Sequence, residues 1–183
     1  RPKSGMLLQG GVSTGRTMTD NCDVVAKVDN PSQRFCHVET EFLTQIKLLG
    51  SYTVPRLEVQ VSGTFQSVPG PQIAATYVVP NAAVVPSLGR NLSGNAANVS
   101  VPLVEPGTLY GDRLNQLDFR VGKILKLART RTAVNLDLFN AFNRSTTLTL
   151  NNNYATWLQP LSILPARLAK ISLDDAVIRA PFA

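Results

Sequence analysis

The segment that decides the fold runs Leu117-Asp118-Phe119-Arg120-Val121-Gly122-Lys123-Ile124-Leu125-Lys126-Leu127, then through Ala128-Arg129-Thr130-Arg131 to Val134-Asn135-Leu136-Asp137-Leu138. Leu117, Phe119, Val121, Leu125 and Leu127 share one face of an extended strand. Gln116, Asp118, Arg120, Gly122 and Lys126 share the other. Past the short basic turn the alternation resumes, with Val134, Leu136 and Leu138 on one face and Asn135 and Asp137 opposite. Two long strands, each with one apolar and one polar face, predict a hairpin of a membrane β-barrel.

The same period of two recurs on both sides of this hairpin. Met6, Leu8 and Val12 alternate with Leu7, Gln9 and Gly11, predicting a strand that runs toward Thr17. Phe42, Thr44, Ile46, Leu48, Gly50 and Tyr52 mark a second strand. Leu57, Val59, Val61 and Phe65 mark a third, opposite Glu58, Gln60, Ser62, Thr64 and Gln66. Val68-Pro69-Gly70-Pro71 interrupts that strand, and Gln72 to Val79 is expected to continue it beyond a kink. A last strand is expected over Arg167 to Leu173, for six or seven in all.

The connections alternate in length. Short turns fall near Pro55 and Arg129, whereas residues 20–40 form a polar loop and residues 80–110 a long one rich in Asn, Gly, Pro and small side chains. Long loops on one side and tight turns on the other are a barrel signature. The expected class is therefore all-β, an antiparallel up-and-down transmembrane β-barrel segment contributing about six or seven strands to a larger barrel. Residues 1–175 are assigned to the barrel and 176–183 to an irregular tail.

Composition agrees with strands in a membrane. Of 183 residues 44% are hydrophobic and only 16% charged, against about 25% charged in soluble domains. No apolar run reaches the roughly 18 residues a spanning helix needs, so any spanning element is a strand. The eighteen Lys and Arg, which give a net charge of +6, are scattered rather than blocked, and point to no nucleic-acid partner. The opening Arg1-Pro2-Lys3-Ser4-Gly5 has no initiator Met and no signal-peptide core, so the chain is expected to be a piece or a processed product.

Cys22 and Cys36 bracket a polar segment. A disulfide between them would add about 3 kcal/mol by loop closure and would suit an oxidising exterior; the alternative is two free thiols. With His37 they are too few to hold zinc. His37 has no nucleophile near it in sequence, and Asp174 and Asp175, adjacent on a strand, point to opposite faces. No catalytic, metal or cofactor site is expected. Gln60, Ser62, Asp118, Arg120, Asn135 and Asp137 are lumen-facing candidates. Tyr52, Tyr154 and Trp157, placed near strand ends, are candidates for an interfacial aromatic girdle. Asn140 and Asn143, around Phe142, are expected to satisfy backbone groups where a strand ends rather than to hold a sugar.

Several stretches resemble the C-terminal barrel segment of TonB-dependent outer-membrane transporters, in particular the Oar-like group with an N-terminal carboxypeptidase-regulatory-like domain. They are Leu43-Thr44-Gln45 with Gly50-Ser51-Tyr52, Gln60-Val61-Ser62-Gly63-Thr64-Phe65-Gln66-Ser67, Arg113-Leu114-Asn115-Gln116-Leu117-Asp118-Phe119-Arg120, Asp137-Leu138-Phe139-Asn140-Ala141-Phe142-Asn143 and Ile163-Leu164-Pro165-Ala166-Arg167. They cover most of the chain in the family's order. The resemblance implies a bacterial outer-membrane barrel of about twenty-two strands around a plug, importing an unidentified ligand with energy that TonB delivers through the plug. Its partners would be outer-membrane lipid and the plug and remaining strands, all outside this chain. Family members end on an aromatic residue, whereas this chain continues from Leu173 through Asp174 to Phe182 and Ala183.

Two other classes fit parts of the pattern. A secreted β-sandwich for adhesion or ligand binding would use the apolar faces as a core between two sheets. A small complete eight-stranded barrel would need nearly this length. An enzyme is not expected, because no nucleophile with its base and no phosphate-binding loop is present.

Overall fold

A computed structural model describes residues 5–28, 33–127 and 130–177. Six strands form one antiparallel sheet: β1 (Met6–Ser13), β4 (Gln45–Val54), β5 (Val59–Val68), β8 (Leu114–Leu127), β9 (Thr130–Phe139) and β12 (Leu168–Val177), in that spatial order. Three two-stranded ribbons lie in the connections between them: β2 (Met18–Asp20) with β3 (His37–Glu39), β6 (Thr76–Pro80) with β7 (Asn98–Pro102), and β10 (Thr147–Leu150) with β11 (Pro160–Ile163). The chain is all-β, with two short helices, α1 (Cys22–Val25) and α2 (Asn81–Leu88). The sheet is open, and β1 and β12 are its edges.

Each strand neighbours the previous sheet strand in sequence, so the sheet is a meander, and its connections alternate in kind. Residues 55–58 are a tight turn at one end, where β8 and β9 also meet; residues 14–44, 69–113 and 140–167 are long excursions at the other. The first turn uses Arg56 and Glu58 at positive φ (74° and 52°), which delays β5 to Val59 although the alternation begins at Leu57. Ala128 and Arg129, where the sequence predicts the second short turn, lie outside the described residues; the described pairing of β8 and β9 ends at Leu127 opposite Thr130.

The excursion after β5 departs from the sequence expectation. Residues 72–79 do not prolong β5; Thr76–Pro80 instead leaves the main sheet as β6 and pairs with β7. The two prolines around Gly70 remove two amide donors just where a ladder would have to continue, and the chain turns outward. Its two ends then touch at a neck: Gly111 donates to Pro71 O (2.8 Å) and Ile73 to Leu109 O (2.9 Å). A Cβ at Gly70 would sit 2.1 Å from Gly111 O, so only glycine fits there.

Residues 20–40 also hold more structure than a plain polar loop, namely the β2–β3 ribbon and α1. The last strand runs beyond Leu173 to Val177, so residues 176 and 177 belong to it; the rest of the expected tail, 178–183 with Phe182, lies outside the described residues.

The buried groups are few and mostly sit away from the faces of the sheet. Ala75, Leu92 and Leu164 are the buried hydrophobic side chains among the described residues, and all three belong to the long excursions. Gly70→Ala is expected to lower stability by about 1–3 kcal/mol through this backbone clash. Gly15→Ala, with nothing within 4 Å of the new methyl, should leave the unfolding midpoint where it is.

Candidate functional site

Antiparallel pairing puts directly opposed residues on the same face, so the register sorts the side chains of the whole sheet. Gln60 stands opposite Gly122, which stands opposite Asn135, then Ser172; one step along, Ser62, Arg120, Asp137 and Lys170 form the next row. Thr64 faces Asp118, and Gln66 faces Gln116. All six lumen-facing candidates therefore share one face.

A hydrogen-bonded network covers that face. Gln66 Nε2 donates to Gln116 Oε1 (2.9 Å), and Gln116 Nε2 donates to both oxygens of Asp118 (3.0 and 2.9 Å). Arg120 grips Asp137 with two donors, Nε to Oδ1 (2.5 Å) and Nη2 to Oδ2 (3.0 Å), the fork geometry that only arginine offers a carboxylate. Asp137 is buried while Arg120 stays half exposed. Gly122 makes the room: a Cβ there would lie 2.5 Å from Asn135 Oδ1. Beside the network lies an open groove of about 560 Å³ lined by Gln9, Lys47, Thr64, Gln66, Gln116 and Asp118 among others. Such a face can offer donors and acceptors to a polar partner. Among the described residues, no three His, Cys, Asp or Glu side chains converge as a metal site would require.

The opposite face is apolar and uncovered. Met6, Tyr52, Val61, Val121, Leu136 and Ile171 form one row across six strands; Leu8, Gly50, Gly63, Phe119, Leu138 and Ala169 form the next. Leu8, Val12, Ile171 and Leu173 are 68–72% exposed. Tyr52 sits on this face near the tight-turn end of β4. Towards the long connections the face turns polar: Ser67 Oγ donates to Asn115 Oδ1 (2.7 Å), and Arg113 donates to Ser67 Oγ (3.2 Å) and Thr44 O (2.6 Å).

Tyr154 and Trp157 lie elsewhere, within the excursion 140–167 rather than at an end of a main-sheet strand. Trp157 Nε1 donates to Ala74 O (2.9 Å), and Tyr154 packs edge-on against Tyr77 with ring centroids 5.4 Å apart. Together with the amide of Thr76 on Asn152 O (2.7 Å), they fasten two long connections to each other. The short strands that flank them, β10 and β11, pair with each other rather than with the main sheet.

Asn140 anchors the same region. It is buried, in the left-handed region (φ 49°), and its amide group donates to Arg144 O and Pro165 O, both at 2.8 Å. Its backbone N–H reaches Asp118 Oδ1 (2.8 Å), so the polar wall and the connection share one network. Asn143 Oδ1 accepts from the amide of Arg167 (3.0 Å). Both asparagines satisfy backbone groups.

Cys22 and Cys36 form a disulfide across the base of α1. Beside it, Asp20 Oδ2 meets His37 Nδ1 at 3.0 Å, and Asp20 Oδ1 accepts from the amide of Cys22 (3.1 Å). The hydrogen bond to His37, then that from Cys22, hold the Asp20 carboxyl below its ordinary pKa.

Comparison of the chain with protein-family models, curated proteins and solved structures returns no match.

Arg120→Met should destabilise the sheet by about 1–3 kcal/mol, because the buried Asp137 loses both donors. Adding Asp137→Leu should recover part of that loss in a double-mutant cycle read by denaturant unfolding. In the disulfide ribbon, the folded Asp20 carboxyl binds its proton at lower pH than the unfolded one. Its contribution is therefore complete above the ordinary carboxylate range and fades as the pH falls through the lowered pKa. Amide protection factors in residues 20–28 and 33–39, corrected for the intrinsic pH dependence of exchange, should fall over that acid window, and Asp20→Asn should remove the dependence.

Proposed function

We propose that this chain forms part of the wall and outer connections of a TonB-dependent transporter in the bacterial outer membrane. The observation that carries the reading is a six-stranded meander whose apolar face is uncovered across its whole width, while its other face holds side-chain hydrogen bonds among Gln66, Gln116 and Asp118 and between Arg120 and Asp137. A soluble sheet buries one face against a second layer; here the three ribbons sit in the connections at one end. Four of the six strands are ten residues long, the length a tilted strand needs to cross hydrocarbon. Both edges must then be paired by further strands, because hydrocarbon does not tolerate unpaired backbone groups.

In this reading the apolar face meets lipid. Gln60, Ser62, Asp118, Arg120, Asn135 and Asp137 face the lumen and its plug, and the fastened excursions 14–44, 69–113 and 140–167 form part of the outer vestibule where a ligand arrives. The protein's role is uptake rather than catalysis, with TonB acting through the plug.

Two experiments on the intact gene product test this. Produced in a Gram-negative host, it should fractionate with the outer membrane, resist extraction by salt and alkali, and migrate differently on gels before and after boiling. Recovery as a soluble protein that folds without detergent would contradict the reading and favour the β-sandwich. For transport, at least one component of the growth medium should persist unconsumed when either this gene or TonB is disrupted; identical depletion in all strains would remove the transport role.

A further inference from the structure

Resting on the membrane reading above, we infer that the apolar face carries a docking groove for one anionic phospholipid of the leaflet that borders the tight turns. The groove, about 460 Å³, is lined by Val59, Val121, Leu125, Leu136 and Ile171 among others, with Lys123 and Asn135 as its polar lining residues. By register Lys123 faces Val59 and Val134, so it shares the face of these apolar residues. Within the six strands it is the only charged residue among the described side chains of that face; Arg113, just before β8, is taken up by Ser67 and Thr44.

Lys123 makes no ion pair among the described residues. Its neighbour Lys126 lies on the other face and is held by Glu58.

An ammonium at the edge of hydrocarbon is costly unless it reaches the headgroup layer and an anion there. The tight turns place it at the level of the phosphates in the periplasmic leaflet of a transporter. An acyl chain in the groove with its phosphate on Lys123 satisfies both the apolar lining and the cation. The net charge of the headgroup then decides the occupant, favouring phosphatidylglycerol over zwitterionic phosphatidylcholine.

The test uses the intact gene product in dioleoyl-phosphatidylcholine vesicles. A bimane label on Leu125→Cys reports the groove locally, because Cys22 and Cys36 are held as a disulfide and any free cysteine elsewhere in the gene product is first replaced by serine. Dibrominated phosphatidylglycerol, diluted into the vesicles, should quench it at about fivefold lower mole fraction than dibrominated phosphatidylcholine, the effect of the roughly 1 kcal/mol that one cation contributes at an anionic membrane surface. Lys123→Gln should bring the two lipids to parity, and Lys123→Arg should keep the preference. Equal quenching by both lipids in the unaltered sheet, or a preference that survives Lys123→Gln, overturns the site while leaving the membrane reading intact. Quenching by neither lipid, with the protein floating free of vesicles, overturns both.

Discussion

The structure depends on one constraint: side chains alternate across a strand, and in-register antiparallel pairing carries that alternation unchanged from strand to strand. The row from Gln60 through Gly122 and Asn135 to Ser172, and the row from Val61 through Val121 and Leu136 to Ile171, are two results of the same pairing. A slip of one residue between β8 and β9 would place Asp137 beside Phe119 or Val121 and break the fork that Arg120 makes with it. The register is thus specified twice, by hydrophobicity on one face and by hydrogen bonding on the other.

The long connections add a second layer of order. Neck bonds at Pro71 and Gly111 close one excursion, the disulfide closes another, and Trp157 and Tyr154 tie the last to its neighbour. Asn140 joins this layer to the wall through Asp118. Hydrogen bonds thus run from the polar face at Asp118 into the excursion 140–167, and from there through Trp157 to the excursion 69–113.

The six main strands were legible in the sequence because each carries a period of two along much of its length, as in Val59 to Phe65. The boundaries were less so. Leu57 continues the alternation, yet positive φ at Arg56 and Glu58 makes it part of a turn, and nothing in the hydrophobic pattern encodes that. Residues 72–79 read as strand and are strand in part, but which partner they take depends on backbone closure at Gly70, a long-range contact. The polar wall candidates fell on one face because that follows from periodicity alone. The placement of Trp157 and Tyr154 depends on how two excursions pack, and their apolar character was compatible with a girdle as well as a clip.

The central claim is that the two faces of this sheet meet different media. Spin labels placed singly at Val134, Asn135, Leu136, Asp137 and Leu138 of the intact, membrane-reconstituted protein would test it most directly, through collision with oxygen and with a water-soluble nickel chelate. The account predicts that accessibility alternates with a period of two: oxygen dominates at 134, 136 and 138, and the lipid-soluble signal collapses at 135 and 137. Uniform burial at the even positions, with neither collider gaining access, would place those side chains in a protein core and contradict the account.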